Sequence, residues 1–183
     1  MPFVKKSKVL VIDACVARAA GDASSTNRAS SVARDCLTLI FQICHRAVFT
    51  GEVTEEWEKH QSTFARAWKG KMKDKEKRLS RNPVRLPRLT AFIEKSSCEE
   101  TKRDAMLKDV RLIEAAMAAD KIIIPFDNKA RDLFKELARK FKSIRAITWI
   151  NPLEEGIEVL ESLAGVTRHT EHTLGGLDPT DKK

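Results

Sequence analysis

The feature that most constrains the fold is a short apolar run ending on an aspartate, which occurs twice. The first run is KVLVID at residues 8–13, and the second is IIIPFD at residues 122–127. A longer stretch with helix-like spacing of apolar residues follows the second run, and another begins beyond a polar loop after the first. Short strands that alternate with helices are typical of an α/β domain with a parallel sheet and right-handed crossovers. Helices on both faces of such a sheet explain why the runs are continuously apolar.

Two further strands are predicted, at residues 47–50 (AVFT) and at residues 144–150 (IRAITWI). A helical stripe is predicted after the first of these strands. Four apolar residues recur there at helical spacing: Val53, Trp57, Phe64 and Trp68.

Polar residues indicate where helices begin. The SCEE motif that starts at Ser97 fits a capping box. Asn151 followed by Pro152 fits the N-cap and first position of a last helix. The residues after this helix lack apolar periodicity. We therefore expect one domain over residues 1–164 and a flexible C-terminal tail over residues 165–183.

Composition indicates a setting for the protein. No apolar run approaches the roughly 20 residues that a membrane-spanning helix needs. Lysines precede the first apolar run, as in a secretory signal, but Asp13 interrupts that run and we expect no signal peptide. The four cysteines form no CxxC pair, so we expect reduced thiols in a cytoplasmic protein.

Asp13 and Asp127 stand at the ends of the two apolar runs. Ligands of an open α/β sheet bind beyond the carboxyl ends of its strands, so both carboxylates should lie on the ligand-binding edge. Either residue alone could instead cap the helix that follows. Because the two positions are equivalent, we favour a chemical role for both and assign the cap at the second position to Asn128.

Asp109 and Glu56 are further candidate acids. Asp109 stands at offsets of 0, +3, +4 and +7 with Leu112, Ile113 and Ala116, which places it on the helical stripe that faces the sheet. A buried carboxylate there needs a cation, hydrogen bonds or a proton. A salt bridge to a nearby Arg or Lys is the alternative. Glu56 lies in the first turn of the helix after the second strand and could point toward the same edge.

Several carboxylates at one edge repel one another, which is tolerable when they share a divalent metal. Oxygen ligands with no His or Cys nearby suit Mg²⁺ or Mn²⁺ rather than zinc. Such ions activate water and offset the negative charge of phosphodiester cleavage. The sequence therefore predicts a metal site made of Asp13, Glu56, Asp109 and Asp127.

Positive charge is concentrated in one segment. Residues 66–88 hold ten Lys or Arg against two acids, and this excess of eight equals the net charge of the whole chain, +8. Such a segment attracts nucleic acid, although a solvated helix face is the alternative. The predicted nucleic-acid contacts are Lys71, Lys73, Lys75, Lys77, Arg78, Arg81 and Asn128.

The acids and their surroundings resemble those of PIN domains. The similarity covers about residues 8–162 and rests on VLVIDACV, TGEVTEEW, LKDVRLIEAAMAADKIIIPFDNKARDLF and ITWINPLEEGIEVL. PIN domains are three-layer α/β/α sandwiches with a central parallel sheet, and they are typically metal-dependent ribonucleases. The resemblance implies that RNA is cleaved with Mg²⁺ or Mn²⁺ held by Asp13, Glu56, Asp109 and Asp127.

The resemblance also implies partners besides RNA. Many bacterial and archaeal PIN proteins are toxins held by an antitoxin, so an antitoxin-like protein partner is one expectation. A homodimer is a further expectation.

Two other functions are weighed against this one. The family usually has Asn or Ser two residues after the first acid and a small hydroxyl residue before the last, where this chain has Cys15 and Phe126. These residues favour a PIN-fold RNA-binding or scaffold protein without catalysis. A haloacid-dehalogenase-type phosphotransferase needs a second acid two residues after Asp13, and Cys15 occupies that position.

Overall fold

One five-stranded sheet organises the computed structural model, which describes residues 7–165 and 170–176. The strands, in chain order, are β1 Val9–Ile12, β2 Arg46–Phe49, β3 Arg78–Ser80, β4 Ile122–Ile124 and β5 Thr148–Trp149. Their spatial order is β3-β2-β1-β4-β5, and every neighbouring pair is parallel. The predicted parallel α/β class is confirmed.

Helices cover the sheet on both sides and complete a three-layer α/β/α sandwich. Every residue of β1 and β4 is buried, which requires cover on both faces. In the described residues, no helix is both long enough and apolar enough to cross a membrane. The α-helices are α1 Ala14–Ala19, α2 Arg28–Gln42, α3 Gly51–His60, α4 Thr63–Asp74, α5 Pro87–Glu94, α6 Glu100–Met117, α7 Lys129–Lys140, α8 Pro152–Glu155 and α9 Val159–Ser162.

The register of the sheet aligns the carboxyl ends of β1 and β4. Ile12, the last residue of β1, pairs with Ile124, the last residue of β4. The Asp13 N–H then donates to the Ile124 carbonyl at 3.0 Å. Since Asp127 follows Ile124 closely in the chain, both strand-end acids lie at the same edge of the sheet, as predicted.

The apolar stripe from Val53 to Trp68 belongs to two helices rather than one. α3 ends at His60, and the side chain of Ser62 accepts a hydrogen bond from the Ala65 N–H and caps α4. The stripe nevertheless packs together, because the rings of Trp57 and Trp68 stack with their centroids 5.8 Å apart. Helical spacing therefore located the core residues correctly but did not detect the break.

The capping predictions had different outcomes. The Asn151 side chain accepts a hydrogen bond from the Leu153 N–H at 3.0 Å and starts α8, as predicted. The cap predicted at Ser97 is wrong, because α6 begins at Glu100 and its N-cap residue, Glu99, makes no side-chain capping bond. Glu99 and Glu100 instead place negative charge at the start of the helix, where the helix dipole favours it.

Two strands differ from the sequence prediction. β5 covers only part of the predicted range, because residues Lys142–Ile144 form a 3₁₀ turn before it. β3 lies inside the basic segment and at an edge of the sheet. It has no continuous apolar run, since an edge strand is not enclosed on both sides.

Part of the expected flexible tail packs on the domain. Leu174 is 2% exposed, and its N–H donates to the Ile147 carbonyl at 2.8 Å. Thr173 forms an antiparallel bridge with Thr148 of β5. Residues 170–176 thus belong to the fold, which corrects the expected boundary at 164 for this segment. The remaining tail, residues 166–169 and 177–183, lies outside the described residues.

We predict that Leu174→Ala lowers the free energy of unfolding by about 2–3 kcal/mol, because it leaves a cavity where a buried side chain had been. Urea denaturation measures the change, and Val84→Ala, at a side chain that is 43% exposed, is the control with a small effect. Equal, small losses in both variants would mean that residues 170–176 do not contribute to the stability of the domain.

Candidate active site

A small cavity of about 140 Å³ lies at the carboxyl edge of the sheet, beside the end of β1. Three of the four predicted acids line it: Asp13 follows β1, Glu56 comes from α3, and Asp109 comes from α6. A fourth lining carboxylate is Glu52. We call this site, with Asp13, Glu52, Glu56 and Asp109, the acidic cavity.

Asp109 reaches the cavity because α6 packs on β1 and β4. Leu112, Ile113 and Ala116, which share its helical stripe, are buried, and Asp109 itself is partly buried. Within the described residues, no hydrogen-bond donor or ion-pair partner contacts its carboxylate. The salt-bridge alternative is therefore not what the structure contains.

The environment of Asp109 opposes its ionisation. Burial, followed by the negative charges of Asp13 and Asp127, raises its pKa to about 7, although the nearby charge of Lys108 acts in the opposite direction. Burial also raises the pKa of Asp13, and the hydrogen bond from Cys15 opposes that rise. Near neutral pH, the cavity thus holds carboxyl groups for which a proton or a cation is favourable.

Cys15 connects Asp13 to the chain segment that carries Asp127. Its thiol donates to Asp13 Oδ2 at 2.8 Å, and its sulfur accepts the Phe126 N–H at 3.3 Å. Burial and the adjacent Asp13 charge raise the pKa of Cys15, so the thiol stays protonated and remains a donor. Cys15 therefore orients the Asp13 carboxylate. The sequence analysis did not predict this hydrogen bond.

Glu56 occupies the rim of the cavity and is half-exposed. Its carboxylate pairs with Lys59 at 3.4 Å, with His60 at 3.5 Å and with Arg111 at 3.9 Å. The next residue, Trp57, is fully buried and donates its indole N–H to the Ile12 carbonyl at 2.8 Å. This bond fixes the first turns of α3 against the end of β1.

Asp127 does not line the cavity, but its charge acts on Asp109. Its side chain is exposed, and Oδ1 accepts the Lys129 N–H at 2.8 Å at the start of α7. The prediction that Asn128 rather than Asp127 caps this helix is therefore wrong. Asn128 makes no capping bond, and its amide donates to Glu154 instead. Asp127 acts as the cap and still contributes charge to the site.

Glu52 is a cavity residue that the sequence analysis did not select. It lies one helical turn before Glu56, which is the signal that could have identified it. Arg85 donates to Glu52 and, at 2.8 Å, to the buried Glu114 of α6. The bond from Arg85 lowers the pKa of Glu52, so Glu52 stays ionised and holds Arg85 beside the cavity.

The six predicted basic contacts do not gather beside the acids. The last turn of α4 leads directly into the amino end of β3, on the opposite edge of the sheet from Asp13. The exposed side chains there are Lys71, Lys73 and Lys75.

The other three cations have partners inside the protein. Lys77 donates to the Phe41 carbonyl at 2.8 Å and lies 4.3 Å from the centre of the Phe41 ring. Arg78 lies 5.2 Å from the ring centre of Phe49. Arg81 donates to the Ala118 carbonyl at 2.6 Å. The cations that line the acidic cavity are instead Lys108 and Arg111, which lie outside the basic segment at residues 66–88.

The donor chemistry of the cavity fits a hard divalent cation. Carboxylate oxygens suit Mg²⁺ or Mn²⁺, and Asp109 lacks any competing donor in the part of the chain that the structure describes. In that same part, no three Asp, Glu, His or Cys side chains already stand close enough to hold a metal ion. The predicted Mg²⁺ or Mn²⁺ stays a prediction.

No protein-family model, curated protein or solved structure matches the chain. The resemblance to PIN domains therefore rests on the quoted motifs. Of the four acids that carry it, three line one cavity and the fourth acts on Asp109 through its charge.

We predict that Asp109→Asn stabilises the protein when divalent metal is removed with EDTA. Below pH 3.8 Asp109 is protonated in both folded and unfolded states. Between that pH and about 7 the unfolded chain loses the proton and the folded chain keeps it, so the wild type loses stability as pH rises. The variant should gain on the order of 2–4 kcal/mol at pH 8 and little at pH 4.

Urea denaturation across this pH range measures the effect. Asp132→Asn, at a side chain that is 70% exposed, is the matched control and should show no such trend. A variant that is less stable than the wild type at pH 8 would contradict the raised pKa of Asp109.

Proposed function

We propose that this protein is a metal-dependent endoribonuclease of the PIN type. One observation carries the proposal: Asp13 and Asp109 come from separate elements to line one cavity at the carboxyl edge of a parallel sheet. The carboxylate of Asp109 has a raised pKa and no hydrogen-bond partner among the described residues, which is what a cation site needs before the cation binds. The edge of the sheet is also where ligands of such folds bind.

Each acid has a distinct part in this proposal. Asp13, Asp109 and Asp127 would hold Mg²⁺ or Mn²⁺, and Glu56 would be a further ligand or would orient the attacking water. The bound ion would supply charge neutralisation and activation of water for phosphodiester hydrolysis. Residues that act through others complete the site: Cys15 holds Asp13 in place, and Arg85 holds Glu52.

The cations around the cavity support a phosphate-bearing substrate. Lys108 and Arg111 line the cavity together with the acids. Arg111 pairs weakly with Glu56, at 3.9 Å, and is half-exposed. Both side chains can therefore turn toward a phosphate at the mouth of the cavity, which offsets the repulsion between phosphate and carboxylates.

A PIN-fold RNA-binding or scaffold protein without catalysis is the second candidate. The observation that favours it is the position of Asp127, which is exposed and uses one oxygen to cap α7. Binding of Mn²⁺ separates the two candidates, since a protein without a metal site would bind RNA but no ion among these acids.

We predict that the wild type cleaves single-stranded RNA with Mn²⁺, and that Asp13→Asn and Asp109→Asn lower the rate by at least about 100-fold. Loss of a direct metal ligand should exceed the 10- to 100-fold cost that is typical for residues supporting the ligands. Asp127→Asn should also lose activity.

A gel assay of labelled RNA measures the rates, calorimetric titration with Mn²⁺ measures ion binding, and Asp132→Asn is the control. Activity of Asp127→Asn equal to the wild type would remove Asp127 from the metal site. Activity of Asp109→Asn equal to the wild type would contradict the proposal as a whole.

We further predict that Cys15→Ser keeps most of the activity and that Cys15→Ala loses roughly 10- to 100-fold. Serine retains a donor toward Asp13, whereas alanine leaves that carboxylate without it. The affinity for Mn²⁺ should change in the same order. If the serine and alanine variants were equally impaired, packing of the sulfur rather than its hydrogen bond would explain the role of Cys15.

A further inference from the structure

A long open groove of about 990 Å³ runs between α5 and the chain segment at the end of α7. Among the residues that the structure describes, its lining includes no Asp and no Glu. It does include five cations, three from the α5 side and two from the α7 side: Arg85, Arg88, Lys95, Lys140 and Lys142. We call this surface the basic groove.

Two aromatic rings lie within the basic groove. Phe92 is 37% exposed, and its ring centre lies 5.4 Å from that of Phe141, edge to face. The Lys140 ammonium lies 4.6 Å from the centre of the Phe92 ring. Phe92 is thus the exposed member of an aromatic pair that lies among cations.

The combination of several cations with a partly exposed aromatic pair matches single-stranded nucleic acid. A positively charged groove follows the phosphate backbone, and aromatic side chains stack on unpaired bases. A double helix hides the faces of its bases from such rings. A purely apolar partner would leave the cations of the groove without a counter-charge. A basic partner would find no acid to pair with among the described lining residues.

The basic groove borders the acidic cavity. Arg85 lines the groove and donates to Glu52, which lines the cavity. The Arg85–Glu52 pair therefore joins the groove to the cavity whose carboxylates are proposed for cleavage. Arg85 is already neutralised by Glu52 and Glu114, so the other four cations are the ones available to phosphates.

From these observations we infer that the basic groove binds single-stranded RNA. Phosphates contact Arg88, Lys95, Lys140 and Lys142, and an unpaired base packs on Phe92 and Phe141. That the nucleic acid is RNA rests on the proposed function, whereas the binding itself requires no cleavage. This surface replaces the cluster at Lys71–Lys75 as the contact for nucleic acid.

Fluorescence anisotropy with a labelled, mixed-sequence RNA of about 12 nucleotides, in EDTA, tests the inference. Lys140→Gln with Lys142→Gln should weaken binding at least about 10-fold. The slope of log affinity against log salt concentration should become shallower by about 1.4, which is about 0.7 for each lost phosphate contact. Phe92→Ala should weaken binding on the order of 10-fold with no change in salt dependence.

The matched control is Lys73→Gln with Lys75→Gln, which removes the same charge from exposed positions. These positions lie before β3, which is the outermost strand on the side of the sheet away from β5. Thermal unfolding of each variant shows that it is folded. Equal weakening in the control and groove variants would overturn the inference, because it would show non-specific attraction. Equal affinity for a double-stranded RNA of the same length would overturn it too.

Polyglutamate serves as the competing probe for an acidic protein partner. If it bound as tightly as RNA and was equally sensitive to Phe92→Ala, the groove would be a protein-binding site and the inference would fail. Failure of the proposed function is distinct. RNA binding that depends on the groove, in a protein that cleaves no RNA, supports this inference and contradicts the nuclease.

Discussion

The candidate site depends on one buried hydrogen bond, from the Trp57 indole to the Ile12 carbonyl. Ile12 ends β1, so this bond fixes α3 at the point where the strand gives way to Asp13. Trp57 is held in turn by Phe49, at an edge-to-face centroid distance of 5.1 Å, and by the stacked ring of Trp68. Because a buried indole N–H without a partner is costly, α3 has little freedom to shift along the strand. Glu52 and Glu56 therefore stay beside Asp13, although neither contributes to the core.

The spacing of apolar residues in the sequence was enough to predict the strands and helix faces that are buried. The strands before Asp13 and Asp127 follow from continuous apolar runs, since only a strand covered on both faces is apolar at every residue, although β4 already ends at Ile124. The position of Asp109 follows from helical offsets. By contrast, β3 is an edge strand and Leu174 is a single buried residue in a polar segment. Neither has a period to detect, and both are placed by contacts with residues distant in sequence.

Charge was harder to interpret than hydrophobicity, because the density of charge along the chain is not its density in space. The run from Lys71 to Arg81 is dense in sequence, yet the chain turns there from α4 into β3. Its cations are spread along one edge of the sheet, and some of them are engaged by neighbouring residues. The basic groove is the reverse case, since the α5 cations and the α7 cations are about 50 residues apart. A similar limit applies to Asp127 and Asn128. Both side chains can cap a helix. In the structure Asp127 accepts the Lys129 N–H, while the Asn128 amide donates to Glu154.

Opposite charges are thus segregated on adjoining surfaces, and this imposes two separate requirements on an anionic strand. The proposed binding in the basic groove requires only its own cations and rings, since its lining holds no acid among the described residues. Entry of a phosphate into the acidic cavity needs more, because ionised carboxylates there repel it. Lys108 and Arg111 offset part of that repulsion, and the remainder requires a proton or a divalent ion. Arg85 cannot supply the missing charge, as Glu52 and Glu114 already hold it. Under the two proposals, affinity without metal reports on the groove alone, whereas cleavage requires both surfaces, with Arg85 at the boundary between them.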